Sequence, residues 1–183
     1  TYWFSPEHLV PKKSDLPFRT VYNGHKISGY LDPPATRVSD LRSFFRQIPQ
    51  RAWIYGYDLR DAFYSIVVHP SDRKLLGFSF QGQHYRYRAL PMGISPSAAL
   101  LCQMTGALCE YWSSLTIDNL RLAILAYFDD LNGWSVSLEA ALAHSLFVHA
   151  AGDRASLGFT GIAPSPCRSR RSRRRFSAIT SIQ

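Results

Sequence analysis

Leu122-Ala123-Ile124-Leu125-Ala126-Tyr127-Phe128-Asp129-Asp130-Leu131-Asn132-Gly133-Trp134 is the stretch on which the reading of this chain turns. An apolar run ends on two adjacent carboxylates and resumes at Leu131, so it reads as two buried arms around a polar two-residue tip, a tight hairpin. Keeping two anions beside segments that bury themselves costs free energy unless a cation neutralises them. Taken alone, the pair reads as a solvent-exposed Asp-rich turn. Asp58 changes that reading, because it ends a second apolar run, Trp53-Ile54-Tyr55-Gly56-Tyr57. If the two runs pair as neighbouring strands, three carboxylates meet at one sheet edge. An all-oxygen donor set suits Mg²⁺ or Mn²⁺. Two such ions about 3.5–4 Å apart form the clamp used for in-line phosphoryl transfer.

The composition is compatible with a site of this kind. With 183 residues, 46% of them apolar, 14% aromatic and 19% charged, the chain is too hydrophobic for intrinsic disorder and long enough to bury a core. No apolar run approaches the ~18 residues of a membrane span, and no signal peptide is evident, so an intracellular protein, cytoplasmic or nuclear, is expected, with no membrane partner. The formal charge of +8 is unevenly placed. Arg168, Arg170, Arg171, Arg173, Arg174 and Arg175 supply six of the 21 Lys and Arg. Residues 1–57 are basic as well, with Lys12, Lys13, Arg19, Lys26, Arg37, Arg42, Arg46 and Arg51 against Glu7, Asp15, Asp32 and Asp40. Cys102, Cys109 and Cys167 have neither disulfide nor zinc spacing, and Cys102 and Cys109 read as core residues of an apolar helix.

The rest of the chain supplies the elements around the carboxylates. Residues 1–20 are Pro-punctuated and read as short strands and loops. Val38, Leu41, Phe44, Phe45 and Ile48 follow helical spacing, with Ser39 or Thr36 as N-cap and Pro49 as stop. Ala62 to Val68 is aromatic and β-branched, hence strand-like. Phe78-Ser79-Phe80 and His84-Tyr85-Arg86-Tyr87 flank Gln81-Gly82-Gln83 as a hairpin. A long apolar helix is expected from Ala98 to about Trp112, capped by Ser95 or Ser97. A last one is expected from Leu138 to Ala151, capped by Ser137 and ended by Gly152. The order predicts an α+β fold with helices on one face of an antiparallel sheet.

Three of these segments together carry a family resemblance. Asp58-Leu59-Arg60-Asp61-Ala62-Phe63-Tyr64-Ser65, then Leu90-Pro91-Met92-Gly93-Ile94-Ser95-Pro96-Ser97, then Tyr127-Phe128-Asp129-Asp130 resemble, in order, three core motifs of reverse transcriptases, on the retroviral, LTR-retrotransposon, DIRS-like and hepadnaviral side of that family. The resemblance spans roughly residues 8–160 and implies the fingers and palm of a right-hand polymerase. It implies Asp58, Asp129 and Asp130 as the catalytic carboxylates holding two Mg²⁺, with Mn²⁺ as a substitute. Phe63, five residues after Asp58, falls where the family places an aromatic gate against a ribose 2′-hydroxyl, which makes dNTP the implied substrate. Lys12 and Arg19 match the residues that grip the triphosphate, a point charge and a two-oxygen fork. The backbone around Leu59, Asp61 and Ala62 faces the phosphates, and Met92 stands at the position facing the sugar. Tyr127, Pro91, Gly93 and Arg86 are implied contacts of an RNA or DNA template with its primer, and Lys74 and Arg88 are further candidates for the backbone.

Beyond Leu157-Gly158-Phe159-Thr160 the pattern departs from the family. There the family continues with a hydrophobic strand, a lysine that assists pyrophosphate departure and a Leu-Gly turn that grips the primer. This chain reads Gly161-Ile162-Ala163-Pro164-Ser165-Pro166-Cys167 and then the Arg/Ser run, with no lysine after Lys74. The expectation is therefore a fingers and palm domain over 1–160 without a thumb, and a disordered basic tail over 161–183. Function divides accordingly: an RNA-directed DNA polymerase domain from a retroelement polyprotein, or a truncated relic that at most binds nucleic acid.

Overall fold

The computed structural model describes residues 7–11, 18–117, 119–155 and 157–167. Its elements run β1 (Glu7–Pro11), β2 (Phe18–Tyr22), α1 (His25–Ser28), α2 (Leu41–Gln47), β3 (Trp53–Arg60), β4 (Gly77–Phe80), β5 (Gln83–Arg86), α3 (Pro96–Ser114), β6 (Thr116–Ile117), β7 (Leu120–Arg121), β8 (Ala123–Tyr127), β9 (Asp130–Ser135), α4 (Leu138–Arg154) and β10 (Gly158–Pro166). Two compact units result, one from residues 1–36 and 61–101, the other from 37–60 and 102–183.

The first unit holds the β1–β2 and β4–β5 hairpins and a core of Tyr22, Ile27, Leu76, Leu90 and Ile94. The turn Pro91-Met92-Gly93 lies along the end of β2, where Tyr22 N–H donates to Met92 O at 3.1 Å and Gly24 N–H to Gly93 O at 3.1 Å. Gly93 is obligatory there: its φ is +107°, and a Cβ would overlap the Tyr22 carbonyl oxygen. The expected helix starts at Pro96, a residue pre-set for the first helical position. Ser97, expected as a cap, instead donates its buried hydroxyl to Pro91 O at 2.7 Å and fastens the turn. Residues 62–65, expected as strand, form a 3₁₀ turn. Asp61 enters it in the left-handed region at φ 54°, and Ser65 Oγ closes it on Ala62 O at 2.6 Å, so local hydrogen bonds outweigh β-prone composition.

The second unit is built on an antiparallel sheet in the order β10-β3-β9-β8. Alternation assigns its faces. Tyr55, Tyr57, Leu131, Gly133 and Ser135 face α4, where Tyr57 Oη donates to Ser145 O at 2.6 Å and buried His144 shares a 2.8 Å hydrogen bond with Ser135 Oγ. Ile54 and Trp134, on the opposite face, join Phe44, Phe45 and Ile48 of the α2 segment and Cys167 in a separate core. The N-cap of α2 is Asp40, whose carboxylate accepts from Ser43 N–H at 3.1 Å, rather than Ser39 or Thr36. Ser137 caps α4 as expected, accepting from Ala140 N–H at 3.2 Å.

Two boundaries differ from the sequence reading. Gly152 does not stop α4, which continues to Arg154; it is a packing residue, because a Cβ there would enter the ring of Phe159. The break expected at residue 161 lies inside β10, which pairs with β3 as far as Pro166↔Trp53 and ends on buried Cys167, whose N–H donates to Ala52 O at 2.7 Å. Residues 168–183 of the expected basic tail lie outside the described residues. Among the described residues, no helix is long and apolar enough to cross a membrane.

Candidate active site

Asp58 and Asp130 are cross-strand partners. In the β3–β9 register Tyr57 opposes Leu131 and Asp58 opposes Asp130, which sets the two Cα atoms roughly 4.5–5.5 Å apart with both side chains on one face. Two steps of the hairpin place Asp129. Tyr127 pairs with Asp130 across β8 and β9, and Phe128 takes φ 54° to turn the chain. Leu59 N–H then donates to Asp129 O at 3.0 Å, tying the tip to the strand that carries Asp58. The carboxylates sit at the end of the two inner strands, not along an outer edge.

The electrostatics follow from this placement. Burial, then the charge of Asp129, then that of Asp58, push Asp130 up from 3.8 to about 7. Each of these influences disfavours the anion, as expected of like charges gathered where water is partly excluded. Among the described residues, no three His, Cys, Asp or Glu side chains form a group that could hold a metal ion as they stand. The donor chemistry nevertheless fits a hard divalent cation: the groups are oxygen-only, and their mutual repulsion is what such a cation relieves.

This shift has a consequence for stability. The folded chain binds a proton at Asp130 through a range where the unfolded chain has lost it, so unfolding free energy falls as pH rises from about 4 to about 7. Asp130→Asn is expected to flatten that part of the profile and to raise the unfolding midpoint at pH 8 in EDTA. Denaturant titrations across pH check this, and an unchanged profile would show that Asp130 is not held against its neighbours.

The other expected residues divide between the units. Leu59 is buried in β3, and Tyr127, half-buried at the end of β8, makes an edge contact with Phe128 at 5.2 Å. Asp61, Ala62, Phe63, Arg86, Pro91, Met92 and Gly93 belong to the first unit, where Ala62 and Pro91 are buried, Phe63 packs on the core and Arg86 is exposed on β5. Arg19 lies on β2 opposite Val10, and Lys12 lies outside the described residues. Cys102 on α3, read from the sequence as a core residue, is buried as expected, and burial raises its thiol pKa.

A family model described as reverse transcriptase (RNA-dependent DNA polymerase) matches residues 19–158. The chain belongs to the reverse transcriptase family. Relatives of this reverse transcriptase domain include the Gag-Pro-Pol polyprotein of Mason-Pfizer monkey virus, 31% identical over 148 residues that cover 70% of this chain and 7% of the polyprotein. The Gag-Pro-Pol polyprotein of sheep pulmonary adenomatosis virus is 28% identical over 147 residues, covering 70% and 8%. The genome polyprotein of Petunia vein clearing virus is 21% identical over 140 residues, covering 75% and 6%. The chain thus spans less than a tenth of these relatives. Among solved structures, the prototype foamy virus protease-reverse transcriptase superposes with a TM-score of 0.68 at 20% identity, over 86% of this chain and 20% of that one. The foamy viral protein in complex with an RNA/DNA hybrid gives 0.69 at 17%, over 90% and 21%. At these identities the likeness is one of fold, the mixed α+β fingers and palm region of a right-hand polymerase with its antiparallel sheet.

Proposed function

We propose that this reverse transcriptase domain extends a primer on an RNA template by adding dNTPs, with Asp58, Asp129 and Asp130 holding two Mg²⁺ or Mn²⁺ ions. The pairing of Asp58 with Asp130, at a sheet end where burial and then the charges of Asp129 and Asp58 raise the Asp130 pKa, carries the proposal. Asp58, Asp129 and Asp130 would hold such ions, which would supply the positive charge that an in-line phosphoryl transfer needs.

The chain's own residues supply position and selection. The Leu59 N–H to Asp129 O hydrogen bond fixes the hairpin tip, so the carboxylates keep their register without the side chains having to hold it. Asp61, Ala62 and Leu59 present backbone to the triphosphate, Lys12 and Arg19 its counter-charges, and Met92 an apolar surface to the sugar. Tyr127, Pro91, Gly93 and Arg86 are assigned to template and primer, a duplex of the kind with which the foamy viral proteins were solved, as double-stranded DNA and as an RNA/DNA hybrid. The setting proposed for this activity is intracellular, cytoplasm or nucleus.

Extension of a DNA primer on an RNA template, with Mg²⁺ and with EDTA, tests the reading. Metal-dependent addition of dNTPs supports it, and a folded chain that adds none is the inactive relic. Within the same assay Phe63→Ala is expected to raise ribonucleotide use relative to dNTP by about tenfold or more, since removing a ring that excludes a hydroxyl removes a steric and not a polar barrier. Unchanged sugar selectivity would take the gate away from Phe63.

A further inference from the structure

Helix α4 wears its large apolar residues on the outside. Ala140, Ala141, His144, Val148 and Gly152 form its buried face. That face is small because rings from the sheet fill the space against it: Tyr57 Oη donates to Ser145 O at 2.6 Å, and a Cβ at Gly152 would enter the ring of Phe159. The leucines stand elsewhere on the helix. Leu138, Leu142 and Leu146, each four residues from the next, are 39%, 50% and 70% exposed. A helix with no duty beyond covering a sheet turns its leucines inward, and a contiguous exposed row of them marks an interaction surface, unlike apolar residues scattered singly.

The neighbouring row of side chains indicates the partner. Glu139, Ala143, Ala150 and Arg154 follow helical spacing along one side of the leucines, an acid in the first turn, a base in the last and two small residues between. The charged ends lie roughly 22 Å apart along the axis, and both are exposed. Among the described residues neither Glu139 nor Arg154 forms an ion pair, whereas His149 and Asp153 on the same helix lie 3.6 Å apart. Reversed, the row is its own complement: a two-fold axis at the level of Leu146 sets Glu139 opposite Arg154 and Ala143 opposite Ala150. A copy of the helix running the same way would set like charge against like. An antiparallel copy meets opposite charges at both ends, opposes the helix dipoles and finds only alanines between, which let the two backbones come close.

We propose that α4 pairs antiparallel with α4 of a second copy of this chain, with Leu142 and Leu146 at the centre of the interface and Glu139 of each copy against Arg154 of the other at its rim. The proposal does not depend on the polymerase reading.

Sedimentation equilibrium of the full chain, without nucleic acid and at concentrations from about 1 µM to about 200 µM, tests it. A dimer is expected, weak as a small interface commands and half-dissociated on the order of 10 µM. Leu146→Glu is expected to weaken it about tenfold or more while leaving the unfolding midpoint of the dilute chain in place, since a side chain so exposed has little packing to lose. Glu139→Arg and Arg154→Glu are each expected to weaken it about threefold or more, and the two together to restore it. Restoration is the decisive readout, because a merely structural effect of either substitution would add to the other. Phe80→Ser, on the exposed aromatic surface of the β4–β5 hairpin, is the control and is expected to leave the dimer unchanged. A chain that stays monomeric at the highest concentration, a dimer that survives Leu146→Glu, or a double charge swap no better than the single ones overturns the proposal. So does a dimer lost in Phe80→Ser and kept in Leu146→Glu, which would give the interface to the hairpin.

Discussion

Asp129→Asn is expected to lower primer extension on the order of 10³-fold or more, the loss falling on the rate at saturating dNTP and not on template binding. The substitution keeps the size and one acceptor oxygen of the side chain and removes the charge. Its effect on structure is small, because the tip is held by a backbone hydrogen bond, Leu59 N–H to Asp129 O, that does not involve the carboxylate. Removing a single preorganised electrostatic contact typically costs 10²–10³ in rate, and a charge that neutralises transition-state oxygens through bound ions belongs at or above the top of that range. Single-turnover extension at saturating Mg²⁺ measures it. Activity within tenfold of the parent would remove Asp129 from the chemistry. Asp58→Asn should behave alike, and the double substitution should add little, as expected of groups that act as a unit.

The largest effect on stability is expected from Gly133→Ala. Gly133 lies on β9 opposite Tyr55, and a Cβ there would fall inside the ring of a side chain with no exposed surface. Tyr55 has nowhere to retreat: its hydroxyl is buried, and burial raises its pKa strongly. Either the ring leaves its rotamer or β3 and β9 separate next to the carboxylates. Overpacking of this kind costs about 1–3 kcal/mol, more where the neighbour is rigid, so a loss of about 3 kcal/mol and a fall in the unfolding midpoint of roughly 6–12 °C are expected. Gly106→Ala is the control. Nothing lies within 4 Å of a Cβ at Gly106, midway along α3, and the substitution should stabilise by about 0.5–1 kcal/mol through helix propensity alone. Thermal unfolding of both variants separates them, and a neutral Gly133→Ala would mean that Tyr55 is mobile.

What the sequence disclosed depended on how local the cause was. The hairpin at Asp129 was legible because Leu122 to Phe128 and Leu131 to Trp134 are apolar arms about a tip that cannot bury its charge. Likewise Ser137 marked the start of α4, since a cap is a contact between residues three apart. Residues 62–65 misled because aromatic and β-branched side chains describe a preference for strands, while a left-handed Asp61 and the Ser65 hydroxyl decide the backbone. Gly152 looked like punctuation; its smallness answers to the ring of Phe159, which β10 brings against α4. The juxtaposition of Asp58 with Asp130 is a matter of register between segments some seventy residues apart, and no local pattern encodes it. The ordered family motifs pointed to it, and the β3–β9 pairing supplied the geometry.

The edge strand β10 carries Pro164 and Pro166, with a register shift between Ile162 and Ser165. Proline offers no N–H to an incoming chain, and a bulge spoils the even spacing a new partner would need. The half of β10 farthest from the carboxylates is thereby a poor template for recruiting another strand. That flank of the sheet is thereby guarded against growing sideways into aggregates.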